Sequence, residues 1–351
     1  MTRILLAMSG GIDSSVSALL LRREGHDVTG VFMRHGVASA VAAKPGKQGC
    51  CSLEDSYDAR RVADLLSIPF YTLNLEKPFE KIVDYFVDEY DRGATPNPCI
   101  VCNRDVKFGK LFDYADAIGA ELVATGHYAR VERRDGRMAL LKGVDARKDQ
   151  SYVLFPLGQR ELSRVMFPVG GREKTEIRSL AAQAGLRIAD KPESMEICFV
   201  PDNDHRRLLR ERLGDRLRPG EFRARDGAVL GRHDGHQLFT IGQRKGLGAA
   251  FGRPMYVVGI EPASNVVVLS EEDERGESFF ARDVNWVSTE PRTCDATVKI
   301  RSMHAGAAAR VEPDGDRRVR ISFGEPQRAI TRGQAAVFYD DDVVLGGGWI
   351  E

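Results

Sequence analysis

The regular alternation of apolar, strand-like runs with helical stripes through roughly the first 190 residues restricts the fold more than any other feature. Residues 4–8 read as a buried strand, 28–33 as a second, 70–75 as a third and 121–125 as a further one. Between them, apolar positions recur at helical spacing. Val16, Leu19 and Leu20, in register with Arg23, mark a helix after Asp13. Ala59, Val62, Ala63 and Leu66 mark the next, and Phe79, Ile82, Val83, Phe86 and Tyr90 another. Ser52-Leu53-Glu54-Asp55 has the pattern of a capping box ahead of the second helix, with Asp55 in place of the usual Glu. Pro69 is expected to stop that helix. Strands and helices in this order call for a parallel sheet covered on both faces.

Beyond about residue 200 the pattern changes. From Ala228 onward the runs are short and β-rich, at 256–260, 266–269, 297–300, 319–323 and 335–339. Asp314-Gly315 and the aspartates at 340–342 read as hairpin turns. A chain of 351 residues exceeds one typical core, so two or three domains are expected. The expected class is α/β, with a Rossmann-like parallel sheet in residues 1–202, a small mixed domain in 203–270 and a C-terminal β-barrel-like domain in 271–351. Residues 36–49, rich in Ala, Gly and Lys, are read as a mobile loop.

Composition excludes several classes. With 42% hydrophobic and 29% charged residues the chain is an ordinary globular one. No apolar run approaches the roughly 20 residues that span a bilayer, and residues 1–8 are too short for a signal peptide. A cytoplasmic protein without membrane partners is expected. The 51 basic and 51 acidic side chains cancel, so a polyanionic partner needs a local patch. Nine arginines lie between Arg206 and Arg232, but Glu211, Asp215, Glu221 and Asp226 interleave with them. On charge alone that stretch reads as a solvated, salt-bridged surface. Six cysteines (Cys50, Cys51, Cys99, Cys102, Cys198, Cys294) in a reducing compartment suggest metal or redox chemistry rather than disulfides.

Ser9-Gly10-Gly11-Ile12-Asp13-Ser14 falls between the first strand and the first helix. Two glycines allow a sharp turn that aims successive amides at one point. The helix N-terminus and the Ser9 and Ser14 hydroxyls complete an anion cradle. No Gly-Lys-Ser/Thr follows, so γ-phosphoryl transfer is not implied. The string resembles the PP-loop of the ATP pyrophosphatases. That resemblance implies their fold, ATP held by its pyrophosphate half, and adenylation of an acceptor oxygen.

Cys99-Ile100-Val101-Cys102 is a CxxC flanked by Pro96 and Pro98, and Cys198 lies in a second short segment, 195–200. By residue type alone these thiols are nucleophile, redox pair or metal ligands. Residues 95–108 (TPNPCIVCNRDVKF), 126–128 (GHY), 148–152 (KDQSY), 195–200 (MEICFV), 240–248 (TIGQRKGLG) and 331–339 (TRGQAAVFY) resemble the tRNA-specific 2-thiouridylases along essentially the whole chain.

By that resemblance, Ala7, Met8, Ser9, Gly10, Gly11, Ile12, Asp13 and Ser14, with Met33 and Gly126, bind ATP. Cys102 is the catalytic thiol and Cys198 the sulfur carrier. Asn97, Pro98 and Cys99 surround the target base, while His127, Lys148, Asp149, Gln150, Arg301, Ser302 and Gln334 contact tRNA. Ser302 stands where the family commonly has Tyr, and Cys99 where many members have Asp. Two cysteines suit a persulfide relay. Three suit a 4Fe–4S cluster on Cys99, Cys102 and Cys198 with one iron open, and this cluster is the favoured expectation. A zinc site completed by Cys50 or Cys51 is the structural alternative, and Cys294 reads as a small buried residue.

The implied reaction uses ATP and Mg2+, with Asp13 near the metal. It adenylates the C2 carbonyl of the wobble uridine in the anticodon stem-loop of tRNA Lys, Glu or Gln and replaces that oxygen with sulfur. The base leaves its stack to react. A cysteine desulfurase or a relay from one is the expected sulfur donor. A PP-loop ligase for a small acceptor would not need the three cysteines, a zinc-stabilised RNA-binding protein would not need the anion cradle, and another thiolated nucleoside stays open.

Overall fold

The computed structural model describes residues 1–36, 53–186, 197–200 and 202–351. Strand β1 (Arg3–Ala7) has four consecutive buried residues, the burial of a strand covered on both faces. It leads into α1 (Ile12–Arg23), β2 (Asp27–Arg34), α2 (Leu53–Leu65), β3 (Phe70–Asn74) and α3 (Glu76–Asp91). Helix α2 ends before Pro69, where Ser67 takes a left-handed φ of 52° and turns the chain. A short α4 (Pro98–Val101) runs into a π-helix (Cys102–Phe108), followed by α5 (Gly109–Ile118) and β4 (Leu122–Ala124). The expected Ser52 cap and the 36–49 loop, beyond Gly36, lie outside the described residues.

The chain then forms β5 (Ala129–Arg134), β6 (Arg137–Lys142), α6 (Gln159–Leu162), β7 (Val165–Met166) and α7 (Lys174–Gln183). The order β3-β2-β1-β4-β7 makes a five-stranded sheet, and every pairing in it is parallel. The expected α/β sheet is thus present, with the two-residue β7 as an added edge.

Next come α8 (His205–Leu213), β8 (Gly220–Ala224), β9 (Val229–His233), β10 (Tyr256–Glu261) and β11 (Val266–Ser270). These four strands form a separate sheet, in the order β10-β11-β8-β9. The last strands are β12 (Arg275–Trp286), β13 (Cys294–Lys299), β14 (Ala307–Pro313), β15 (Arg318–Arg328), β16 (Ala335–Asp340) and β17 (Val343–Ile350). β12 pairs with β15 through one half and with β17 through the other, which closes six strands into a barrel. Asp283, at φ 52°, sits in the bulge that lets β12 turn from one partner to the other.

One connection was not legible in the sequence. The hairpin β5–β6 turns at Asp135-Gly136, both with positive φ as a two-residue hairpin loop requires. It leaves the first sheet and joins the barrel, where Leu141 pairs with Val343 and the Lys142 amide donates to the Asp342 carbonyl at 2.8 Å. The polar ties continue this docking. Asn285 Nδ2 donates to the carbonyls of Phe155 and Leu157 at 2.7 and 3.0 Å. Gln159 Nε2 donates to those of Met138 and Val287, both at 2.7 Å. A single apolar cluster holds Phe86 and Ile100 beside Phe222, Val257, Val337 and Trp349, residues from all three regions of the chain.

A core shared in this way predicts one cooperative calorimetric transition, with van't Hoff and calorimetric enthalpies equal. Two well-separated transitions would contradict it. Acid should weaken the fold. His233, wedged between Phe222 and Phe239, is pushed down to about 4, by burial first and by the charge of His236 second. Burial also lowers His127, His205 and His304. The unfolded chain takes up these protons near pH 6.5 and the folded chain does not. Stability present above that pH is therefore lost as pH falls below it. The urea midpoint should drop between pH 7 and 5, and His233→Gln should flatten that slope.

Candidate active site

The loop between β1 and α1 is shaped by its glycines. Gly10 has φ +73°, and a Cβ there would lie 2.1 Å from the Asp55 carbonyl oxygen, so the turn packs directly on the backbone of α2. Across the site, a Cβ on Gly126 would lie 2.8 Å from the Ser14 amide nitrogen. Both glycines permit backbone to meet backbone. Inside the turn, the Ser9 amide donates to Ser14 Oγ at 3.2 Å, and Ser14 Oγ donates to the Gly11 carbonyl at 3.1 Å.

These elements enclose a cavity of about 300 Å3. Of the residues expected to bind ATP, Ala7, Ser9, Gly11, Ile12, Asp13, Ser14, Met33 and Gly126 line it. Met8 does not. Its side chain is 1% exposed and fills the space beneath Gly30, because alternate residues of an extended strand face opposite sides. Gly10 serves by its conformation rather than by lining the cavity.

Asp13 is held from two sides. Its Oδ1 accepts from Lys174 Nζ and from the Tyr128 hydroxyl, each at 2.7 Å, and its Oδ2 accepts from Lys174 at 2.9 Å. Lys174 is buried, lines the cavity and opens α7. Sequence reading missed it. The available signal was electrostatic: a lysine in the first turn of a helix opposes the helix dipole, so an anionic partner should be sought for it.

Several residues expected at tRNA sit on this same cavity: His127, Lys148 and Gln150, joined by Lys107 from the π-helix. Thr125 Oγ1 bonds His127 Nδ1 at 2.7 Å. Burial, with the Lys107 charge second, holds the imidazole well below its usual range and therefore neutral. The Gln150 side-chain carbonyl accepts from the Tyr128 amide at 2.9 Å. Asp149 turns away from the cavity. Its carboxylate accepts from the Gly143 and Ser151 amides and from the Ser151 hydroxyl, a local turn.

The cysteine segment abuts this region. Asn97 caps α4, its Oδ1 accepting from the Ile100 amide at 3.4 Å, and Pro98 follows at the first helical position. Cys99 is exposed, and Cys102, half-buried, begins the π-helix. Irregular helices of this kind concentrate at functional sites. Lys107 is five residues on from Cys102. At a helical rise of about 1.5 Å per residue, Cys102 is within about 8 Å of the cavity's edge along the axis.

Cys198 is also half-buried and borders the same apolar cluster as Cys102. Its neighbour Phe199 stands edge-on to Phe79 and Phe86 of α3, at 5.9 and 5.3 Å. The favoured cluster site is not borne out by this arrangement: among the described residues no three His, Cys, Asp or Glu side chains form a metal-holding group. Cys99 is exposed, whereas Cys102 and Cys198 are half-buried against one apolar cluster. Cys50 and Cys51 lie outside the described residues. Cys294 lies half-buried on β13.

The remaining expected tRNA contacts are dispersed. Arg301 and Ser302 are exposed on the turn after β13, whereas Gln334 is part-buried against the cysteine loop. The arginine-rich stretch is largely neutralised. Arg207 pairs with Asp202 and Glu211, Arg210 with Asp234, Arg212 with Glu80, Arg216 with Asp91, and Arg223 with Glu221.

Comparison with known proteins agrees with this geometry. Three family models match in series: the tRNA methyl transferase HUP domain over residues 2–202, the tRNA methyl transferase PRC-barrel domain over 206–271, and the aminomethyltransferase beta-barrel domain over 276–350. The tRNA-specific 2-thiouridylase MnmA of Geotalea uraniireducens is 49% identical, over 99% of this chain and 95% of its own. The enzyme of the same name from Carboxydothermus hydrogenoformans is also 49% identical, over 99% and 97%. That from Clostridium perfringens is 47% identical, over 99% and 98%. With a nucleotide-sized cavity at the glycine turn and a cysteine-bearing helix running into it, the chain belongs to the tRNA-specific 2-thiouridylase family.

Proposed function

We propose that this chain is an ATP-dependent tRNA-uridine 2-sulfurtransferase. It adenylates the C2 carbonyl oxygen of the wobble uridine in tRNA Lys, Glu or Gln and exchanges that oxygen for sulfur. The observation that carries this reading is the continuity of the two half-sites: the π-helix that begins at Cys102 contributes Lys107 to the cavity formed by the Ser9–Ser14 turn.

The carbonyl oxygen of uridine is a very poor leaving group. When it attacks the α-phosphorus of ATP, pyrophosphate departs and the oxygen becomes part of an AMP ester. Lys174 and the amides at the start of α1 face the polyphosphate, and neutral His127 donates or accepts a hydrogen bond without adding charge. Asp13 and Asp55, the two carboxylates lining the cavity, would hold a Mg2+, which would supply positive charge against the phosphates.

In the second half, the terminal sulfur of a persulfide on Cys198 attacks C2, and AMP leaves with the bonding pair. Cys102 thiolate then attacks Cys198 Sγ. The sulfur–sulfur bond to the base breaks, 2-thiouridine is released, and a Cys102–Cys198 disulfide remains for an external dithiol to reduce. A cysteine desulfurase or relay protein loads the persulfide. That Cys102 and Cys198 border one apolar cluster supports this two-thiol route, and no step is assigned to iron.

Cys102→Ser and Cys198→Ser should each lower 2-thiouridine formation by at least about 10³-fold, on the scale of losing a covalent catalyst, while tRNA-dependent pyrophosphate release persists. Cys99→Asp should lose far less, and anaerobically prepared protein should carry no stoichiometric iron. Nucleoside mass spectrometry and iron analysis decide this. Stoichiometric iron lost together with activity in Cys99→Asp would restore the cluster, and turnover with a small acceptor in place of tRNA would replace the whole reading. Lys174→Met should raise the KM for ATP about tenfold or more, a loss of about 1.4 kcal/mol or more, with tRNA affinity held within about twofold.

A further inference from the structure

The loop that presents the cysteines cannot secure itself. Pro96 and Pro98 have no amide hydrogens, so the carbonyls around them must find donors elsewhere. The donor is on the barrel. Gln334 Nε2 donates to the Thr95 carbonyl at 3.0 Å and to the Pro96 carbonyl at 3.1 Å, across more than two hundred residues of sequence. In return the Thr95 amide donates to the Arg332 carbonyl at 2.8 Å. Between these two anchors Gly333 has φ +87°, and a Cβ on it would lie 3.0 Å from both the Ala94 Cβ and the Thr95 oxygen.

The next barrel residue reaches the other half-site. The Tyr152 hydroxyl donates to the Ala335 carbonyl at 2.9 Å, and Tyr152 is two residues beyond Gln150, which lines the nucleotide cavity. Residues 332–335 therefore grip the cysteine loop and the cavity wall within one short stretch of backbone.

We propose that Gln334 is a positioning residue for sulfur transfer: by holding the Thr95 and Pro96 carbonyls, it sets the loop carrying Cys99 and Cys102 at a fixed place relative to the nucleotide cavity. This rests on the function proposed above, in which Cys102 acts in the second half-reaction. It also departs from a simple tRNA contact. The two carbonyl acceptors fix which way the amide points and occupy both of its N–H bonds. Only Oε1 is left, which cannot pair with a phosphate and can meet RNA solely by accepting from a 2′-hydroxyl or a base N–H.

The test uses the full-length chain with tRNA, ATP and a persulfide source. Gln334→Met keeps the length and loses both donors, whereas Gln334→Lys restores an N–H donor. Thiolation is followed in single turnover at saturating tRNA, with pyrophosphate release and tRNA Kd measured in parallel. Gln334→Met should slow thiolation at least tenfold and pyrophosphate release much less, so adenylated tRNA accumulates. Its Kd for tRNA should move less than twofold, and Gln334→Lys should recover thiolation at least threefold. Gly333→Ala, which drives a methyl onto Ala94 and Thr95, should give the same split by a different route. A tenfold rise in Kd with normal thiolation at saturation would overturn the proposal in favour of direct tRNA contact. Equal loss of both half-reactions, or no recovery in Gln334→Lys, would reduce Gln334 to a structural role. Wild-type protein that releases pyrophosphate but forms no thiouridine would sink the functional reading itself.

Discussion

The ion pair between Asp13 and Lys174 joins the first turns of two helices that flank the nucleotide cavity. Neither end is placed for helix stability alone. Asp13 suits the positive end of α1, but Lys174 opens α7, where its charge meets the same positive end of a dipole. Burying an ammonium there requires a carboxylate in contact, and such a pair adds little net stability over apolar packing of equal volume. What it does provide is a charge held at a known place. The Tyr128 hydroxyl, the third member, comes from the segment that also carries Gly126 and His127. So α1, α7 and the loop after β4 converge on one carboxylate, and the walls of the cavity follow from that convergence.

The barrel is best understood through the segments it touches. Hairpin β5–β6 begins directly after Tyr128 and is drawn into the barrel at β17. Ser151 and Tyr152, just past Lys148 and Gln150, reach Tyr339 and Ala335. The 94–96 segment meets Arg332, Gly333 and Gln334. These three segments next to the site are thus fastened to the far domain. A common apolar cluster makes this fastening stiff, because close-packed interiors transmit displacement rather than absorb it. Reactions in which two sites act in turn on one bound base need such fixed separation more than they need a large interface.

Local signals were read well where chemistry and backbone geometry coincide. The glycine turn had to lie between a strand and a helix, and Gly10 and Gly126 occupy positions that no side chain would fit. The apolar stripe of α3 gave its buried face because period and burial share one cause, whereas α1 is buried on nearly every side from Ser14 to Leu21. Long-range relations were hidden. Nothing local to residues 129–142 says that this hairpin pairs with a strand two hundred residues on, since its β-pattern suits any sheet edge. Met8, read as the end of the buried strand and placed at ATP by resemblance, is buried there and does not line the cavity. Asp149, placed with Lys148 and Gln150 by resemblance, instead has its carboxylate engaged in the local turn, because successive residues of a turn point in different directions. The difference in exposure between Cys99 and the half-buried Cys102 and Cys198 is likewise a property of packing that cysteine spacing does not reveal.

Charge explains how a chain with no net charge can serve two polyanions. The arginines after residue 205 are mostly spent on neighbouring carboxylates, so they supply solubility and shape more than attraction. The cavity is different: Lys107, Lys148 and Lys174 face Asp13 and Asp55 there, three cations against two anions. To this excess of one, the start of α1 adds roughly half a charge. A nucleoside triphosphate is more negative than that, so on the proposed reading it binds best with a divalent cation that Asp13 and Asp55 help to hold. After pyrophosphate leaves, the AMP ester that remains has far less charge, and the same cavity holds it less tightly. The electrostatics therefore favour substrate over intermediate just when the base must turn to sulfur, and geometry fixed from the barrel side has to keep the adenylated base in place.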